Sequence, residues 1–229
     1  MGDVFLSIII PSLNEQSEIG LCLEALQPLR DVSIRGMGVE VIVADGGSTD
    51  HTRELAETSA DQVVSSKLGR AQQMNVGAEF ARGEYLMFLH ADTELPSDFS
   101  VAWLNGLDWG FFPVKLSGSA WPFRVIERGM NIRSHLFGIG TGDQTLFVRR
   151  ALFKSLNGFA NIPLMEDVEL CRRLKRVSPP SFQQGVVTTS SRRWEQRGIL
   201  RTVLQMWHLR LAYFLGVSPQ HLARQYYSQ

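Results

Sequence analysis

The sequence predicts an α/β fold, a mostly parallel, doubly wound sheet with a Rossmann-like N-terminal half. Two observations carry that expectation. Short strand-like runs at Leu6–Ile10, Val39–Ala44, Gln62–Ser65 and Tyr85–Leu89 alternate with helical periods, the β-α-β order of a parallel sheet. Polar clusters follow three of these runs: Asn14-Glu15, Asp45–Asp50 and His90–Asp92. Ligands of such sheets sit beyond the carboxyl ends of the strands, so placement alone makes that rim the candidate site.

Each element has its own reason. Leu6–Ile10 is a β-branched run closed by Pro11, and Glu15–Leu29 repeats Ile19, Cys22, Leu23, Leu26 and Leu29 at helical spacing. Val39–Ala44 runs into Asp45-Gly46-Gly47-Ser48-Thr49-Asp50, where glycine permits a tight turn and a hydroxyl or Asp50 can cap a helix over Thr52–Ala60. Arg70–Ala81 reads as a helix stopped by Gly83. Tyr85–Leu89 is apolar without alternation, as in a central strand covered on both faces. Past residue 95, Trp109–Leu116 and Thr145–Arg149 read as strands, and Phe123–Phe137 and Ala151–Leu156 as helices. Asp167–Arg176 is a helix ended before Pro179-Pro180. Ile199–Leu215 is an amphipathic helix, with Arg201, Gln205 and His208 on one stripe and Leu200, Leu204, Trp207 and Leu211 on another.

Composition bounds the function. The 229 residues suit one large domain, and 44% hydrophobic with 20% charged residues is a globular balance. Lys plus Arg and Asp plus Glu are both 23, so no global basic field exists and no nucleic-acid partner is expected. The charge is uneven: from Arg172 onward there are ten Lys or Arg and a single acid, Glu195. Two distant cysteines, Cys22 and Cys171, make neither a disulfide framework nor a zinc pattern, and read as buried free thiols in a reducing compartment. The N-terminus lacks the regions of a signal peptide, and no uncharged apolar run reaches the ~20 residues of a membrane span. The expected location is cytoplasmic, with the basic C-terminal helix able to rest on the inner face of a membrane or on a second copy.

Carboxylates at strand ends are the repeated chemical theme. Asp45 and Asp92 each follow an apolar strand, and a parallel sheet puts both on one rim. Hard oxygen ligands of this kind suit Mg²⁺ or Mn²⁺ bridging a diphosphate, and each residue taken singly also reads as a turn or cap residue. Glu166-Asp167 opens a helix, where acids suit the dipole and where a general base for an alcohol could also stand. Lys67 and Arg70 flank Gly69 at a helix start that could receive phosphate. In Arg192-Arg193-Trp194 an arginine could neutralise a leaving diphosphate and the indole could stack on a sugar or base. A lone His90 is more often structural than a ligand. No HExxH, Walker A or GxSxG pattern occurs, and Gly138-x-Gly140-x-Gly142 precedes Asp143-Gln144 rather than a dinucleotide helix.

Taken together these motifs resemble the inverting family 2 glycosyltransferases of GT-A fold. Ile8–Glu15 (Ile-Ile-Ile-Pro-Ser-Leu-Asn-Glu) is similar to the family's opening strand, and Val41–Asp50 to its second strand and Asp-rich turn. Gly69-Arg70-Ala71, Asn75–Ala78 and Ala81-Arg82-Gly83 resemble its third motif. Leu89-His90-Ala91-Asp92 sits where the family has Asp-x-Asp, and Phe147–Arg150 through Gly158-Phe159 to Glu166-Asp167 looks like its acceptor-side block. The subgroup sharing Ala-Asp-Gly-Gly-Ser, His-Ala-Asp-Thr, Gly-Asp-Gln and Ser-Arg-Arg-Trp consists of small bacterial transferases of unassigned sugar specificity.

The resemblance covers roughly residues 6–176 and implies a nucleotide-sugar donor site and an acceptor site. Donor contacts would come from Pro11, Asn14, Glu15, Asp45, Arg70, Asn75, Ala91, Asp92, Arg192, Arg193 and Trp194. Asp92 would hold the divalent metal, Mg²⁺ or Mn²⁺. Asp167 would be the base with Glu166 beside it, and Gly142, Asp143 and Gln144 would lie on the acceptor side. UDP is the family's commonest donor nucleotide, and lipid-linked acceptors are among those open. Two positions depart: Gly46 and His90 stand where the family commonly has acids. The implied organisation is one GT-A domain over 1–190, with a donor half at 1–95 and an acceptor half at 96–190, followed by a basic helical tail at 191–229. A nucleotidyltransferase is disfavoured because Pro11–Glu15 contains no glycine. An inactive nucleotide-binding scaffold is the non-enzymatic alternative.

Overall fold

A computed structural model of the chain describes residues 4–31 and 38–227. The first half alternates β1 (Val4–Ser12), α1 (Ile19–Asp31), β2 (Gly38–Asp45), α2 (Thr52–Glu57), β3 (Gln62–Ser65), α3 (Arg70–Phe80) and β4 (Tyr85–Phe88). The second half holds β5 (Thr93–Glu94), β6 (Trp109–Phe111), β7 (Val114–Leu116), α4 (Trp121–Phe137), β8 (Leu146–Arg149), α5 (Arg150–Ser155) and α6 (Glu166–Leu174). It continues with β9 (Ser181–Phe182), β10 (Val187–Thr189), α7 (Arg192–Arg197), α8 (Ile199–Phe214) and α9 (Pro219–Tyr227).

The main sheet has seven strands in the order β3-β2-β1-β4-β8-β6-β9. β1 to β4 run parallel and β8 antiparallel to β4. A smaller sheet orders β5-β10-β7. The chain order reverses between β1 and β4, which opens a crevice at their carboxyl ends. Ile9 accepts a bond from Leu89 N–H, so Pro11, two residues on, faces the same side beyond the end of β4, where no ladder bond needs its missing N–H.

Strand alternation divides the core. Leu6, Ile8 and Ile10 pack with Val41 and Val43 against Ile19, Leu23 and Leu26 of α1. Ile9, Ile42 and Ala44 point the other way, toward Met74 of α3 and Leu170 and Cys171 of α6. α3 lies so close to β1 that a Cβ on Gly77 would come within 2.5 Å of Ile9 Cγ2, so only glycine fits there.

Several features differ from the sequence expectation. α1 starts at Ile19 rather than Glu15, because Glu15–Glu18 is a turn whose N–H groups are used by the neighbouring loop. The run Trp109–Leu116 is two strands in two sheets, split around Pro113. In α8 the buried residues are Thr202 and Leu209, while Leu200, Leu204, Trp207 and Leu211 face outward. The inward face of α8 is thus not its apolar stripe. Leu209 packs with Leu222, Ala223 and Tyr226 of α9 and with Leu164, Met165 and Val168 at the start of α6. Residues beyond 190 therefore lie against the domain. Among the described residues no helix is long and apolar enough to cross a membrane.

Candidate active site

The first two rim loops are tied to each other. Asn14, at φ 54°, receives Thr49 N–H on Oδ1 at 2.9 Å and donates its own N–H to Ser48 Oγ at 2.9 Å. Glu15 N–H donates to Thr52 Oγ1 at 2.7 Å. Asp45 is buried and organises its own turn, accepting from Gly47 N–H, Ser48 N–H and Ser48 Oγ at 3.1, 3.2 and 2.5 Å. Gln73, which sequence reading missed, donates to the carbonyls of Ser12 and Ala44 at 2.7 and 3.1 Å, pinning the ends of β1 and β2. A Cβ on Gly46 would lie 2.9 Å from that amide, which is why a larger acid does not stand at this position.

The fourth loop carries His90, Ala91 and Asp92. The His90 ring covers Gly142, where a Cβ would come within 2.4 Å of Cε1. Its Nδ1 lies 3.8 Å from Asp143 Oδ1. Burial pushes the imidazole below its ordinary pKa, Arg70 and Arg193 act in the same direction, and Asp143 and Asp92 oppose them. At neutral pH the ring is therefore uncharged. Asp92 is half-buried, and its Oδ1 receives a long 3.5 Å contact from Thr93 Oγ1. Burial and the neighbouring Asp92 raise Glu15 above the usual carboxylate range.

The third group opens α6. Met165 sits at φ 69°, a conformation a non-glycine residue adopts at a cost of ~1–3 kcal/mol, and it turns the chain so that Glu166 and Asp167 point at the rim. Asp167 accepts from Gly142 N–H at 3.0 Å and from Val168 N–H at 2.7 Å. Glu166 is buried, pairs with Arg70 Nε at 3.2 Å, and leaves Oε2 without a hydrogen-bond partner. Burial raises the Glu166 pKa against the pull of Arg70, and Asp167 adds to the rise. Burial works against the Arg70 charge, but Glu166 and Asp167 outweigh it and hold the guanidinium above its ordinary pKa.

Gly142 is thus the hinge of the site. One face lies under His90 and its N–H holds Asp167, so the β4 loop and the α6 start meet there. His90, Asp92, Asp143, Arg193 and Trp194 all line one cavity of about 1060 Å³.

Three expected site residues have other work. Both polar atoms of the Asn75 amide bond the Phe159 backbone, at 2.8 and 2.9 Å, so Asn75 fastens α3 to the 157–159 turn. Gln144 is buried, accepts from Ser134 Oγ at 2.6 Å, and closes a capping box with Thr141, so it shapes the loop from beneath. Arg192 pairs with Glu18 at 2.8 Å and lies 3.9 Å from Glu15, which clips α7 to the first rim loop. Its neighbour Arg193 is the one that lines the cavity, resting on the Tyr226 ring at 5.7 Å. Arg133, absent from the sequence expectation, also lines the cavity, and its Nε and Nη1 atoms are buried without partners. Its signal was a cation on the same helical stripe as Met130 and Phe137.

Among the described residues no group of three or more His, Cys, Asp or Glu side chains forms a metal cage. An ion held mainly by a diphosphate needs only one or two protein carboxylates, and Asp92 on the cavity wall fits that requirement.

Comparison with known proteins agrees with this geometry. The family model for Glycosyl transferase family 2 matches residues 7–104. Glucosyl-3-phosphoglycerate synthase of Mycolicibacterium paratuberculosis is 30% identical over 110 residues, which covers 44% of this chain and 32% of that protein. The match therefore spans about a third of that relative's length. The solved structure of S. aureus TarS 1-349 in complex with UDP aligns with a TM-score of 0.63 at 18% identity, over 82% of this chain and 60% of that one. Mannosyltransferase PcManGT from Pyrobaculum calidifontis, in complex with GDP-Man and Mn²⁺, aligns with a TM-score of 0.62 at 22% identity, over 93% and 64%. Residues 7–104 thus match the family 2 glycosyltransferases, and the chain has the GT-A fold of these solved structures.

Proposed function

We propose that this chain moves a sugar from a nucleoside-diphosphate donor to an acceptor hydroxyl, with inversion at the anomeric carbon. The observation that carries the reading is the meeting of the β4 loop and the α6 start at Gly142, which lies under the His90 ring and gives its N–H to Asp167, beside the sheet's switch point. UDP and GDP donors, as in the TarS and PcManGT complexes, are the first candidates.

The chemistry follows from charge and proton affinity. An acceptor hydroxyl ionises far above pH 7, so a placed carboxylate has to take its proton as it attacks. Asp167 fits that role, with its carboxylate held by two backbone N–H groups and only part of it buried. Glu166 fits it less well, being buried and spent on Arg70, which it positions. The acceptor oxygen bonds the anomeric carbon as the bond from that carbon to the diphosphate breaks. The nucleoside diphosphate leaves with the electron pair, and the proton goes to Asp167. Arg193 on the cavity wall, and Arg70, which like Arg193 acts electrostatically on His90, would supply positive charge as the leaving group gains negative charge. A Mg²⁺ or Mn²⁺ ion on Asp92 would supply further countercharge to the diphosphate. A single displacement needs one base, which gives inversion.

A thermal-shift panel of UDP, GDP, TDP and CDP, each with and without Mn²⁺ or Mg²⁺, tests the reading. One nucleotide at a hundredfold excess over its Kd should raise Tm by roughly 5–10 °C. The rise should need the metal and vanish in Asp92→Ala. No shift with any nucleotide would overturn the donor site, and binding without turnover would favour the inactive scaffold.

A further inference from the structure

The cavity does not end at the rim. It continues as a groove between α4 and α8 whose lining is largely apolar. Val125 and Phe137 of α4 face Trp207, Leu211 and Phe214 of α8. These five side chains are 60%, 61%, 67%, 61% and 54% exposed, so the groove is open and large apolar groups line its mouth. A contiguous patch of this kind on a folded chain marks a binding surface. The volume of about 1060 Å³ is at the upper end of small-molecule sites, for which ~300–1,000 Å³ is usual.

The groove also carries positive charge. Arg133, Arg172, Lys175, Arg193 and Arg210 line it against the carboxylates Asp92 and Asp143. Arg172 and Lys175 are already engaged, with Arg172 over the Phe214 ring at 4.4 Å and Lys175 donating to the Phe137 carbonyl. Arg133 is different. Its Nη2 bonds Ser134 and Gln144, at 2.9 and 3.3 Å, while Nε and Nη1 are buried and unpartnered. Leaving buried charged donors unmade is costly, and an anion accepting from either one lowers the cost. Asp167 and Asp143 both act electrostatically on Arg133, so such an anion would lie close to the proposed base.

From this combination of unpaired cation and exposed apolar wall we infer that the acceptor is an amphiphile, with a hydroxyl at its head, a phosphate beside Arg133 and an apolar chain along the α4–α8 groove. The inference rests on the transferase reading for what happens at the hydroxyl. The step itself is unchanged: the hydroxyl oxygen gains the glycosyl carbon and its proton goes to Asp167. The groove supplies register. It fixes the hydroxyl at the rim by seating phosphate and chain elsewhere, a use of remote binding to orient the reacting group.

The test uses the full chain and three probes in titration calorimetry: dodecyl phosphate below its micelle threshold, dodecyl glucoside and inorganic phosphate. Dodecyl phosphate should bind at least tenfold more tightly than either of the others. Arg133→Gln should bring it to the level of the neutral glucoside. Leu211→Asp, at an exposed position where folding is not at stake, should weaken both chain-bearing probes at least tenfold and leave the nucleotide-dependent Tm shift intact. Equal binding of inorganic phosphate, or no effect of Leu211→Asp, overturns the proposal. So does binding to anionic phosphatidylglycerol vesicles without uptake of the monomeric probe, which would make the patch a membrane contact only. A nucleotide shift without amphiphile binding sinks the groove assignment and spares the transferase reading. Amphiphile binding without any nucleotide shift does the reverse.

Discussion

Gly142 carries more of the site than its size suggests. A methyl group there would have to displace the His90 ring and disturb the N–H that holds Asp167. Gly142→Ala should cost ~1–3 kcal/mol by overpacking, read as a lowered urea midpoint, and should cut transfer more than it cuts donor affinity. Asn75 makes the opposite case. Asn75→Ala breaks two bonds to the Phe159 backbone and should cost roughly 1–3 kcal/mol, with nucleotide binding unchanged in the surviving fold. A nucleotide shift lost in proportion to nothing but that amide would restore Asn75 to the donor site. The contrast shows where sequence reading stops at this scale. Asp92 and Asp167 stand out as candidates in the sequence because acids at a strand end and a helix start are few and chemically marked. The roles of Asn75, Gln144, Gln73 and Arg133 depend on partners 84, 10, 61 and 11 residues away. No local pattern encodes those partners.

At the level of elements, the N-terminal half was readable because a buried parallel strand leaves a continuous apolar run and its helices keep their period. β5, β9 and β10 were not, since two- or three-residue strands carry no period. α8 shows the limit of amphipathicity. Its apolar stripe was read correctly as a stripe, but the helix turns Thr202 and Leu209 inward and leaves the stripe as a groove wall. What fastens α8 is α9, whose Leu222 is fully buried among residues at the start of α6. Leu222→Ala should cost about 2–5 kcal/mol and lower the single thermal transition of the whole chain. Two separate transitions, with the first alone shifted, would instead make residues beyond 190 an independent unit. Because α9 packs on Leu164, Met165 and Val168, its loosening should also reach Asp167 and reduce turnover.

Across the whole molecule, charge and redox chemistry set the working conditions. The formal charge is zero, yet the ten cations from Arg172 onward gather in the part of the chain that lines the groove and clips the rim. An overall balance conceals a local field that suits anionic ligands. The two thiols, read from sequence as buried and free, are both buried and unpaired. Burial pushes each of them up to about 12. Buried and with thiolate formation disfavoured, neither should react with iodoacetamide at pH 8 until the chain is unfolded, when both should. Mass spectrometry of native and urea-treated samples checks this, and alkylation of the folded protein would mean that α1 or α6 opens readily.

The central claim is that Asp167 takes the acceptor's proton while Asp92 serves the donor. The measurement that reaches it most directly is nucleoside-diphosphate release by the wild type and by Asp167→Asn, with donor affinity measured in parallel. The donor is the sugar nucleotide identified by thermal shift, and the acceptor an alkyl-phosphate glycoside. General-base catalysis is worth ~10²–10⁴-fold, so Asp167→Asn should lose at least a hundredfold in rate and keep its donor Kd within a few-fold. Release that continues at the wild-type rate in Asp167→Asn, or that falls only as donor binding falls, would contradict the account.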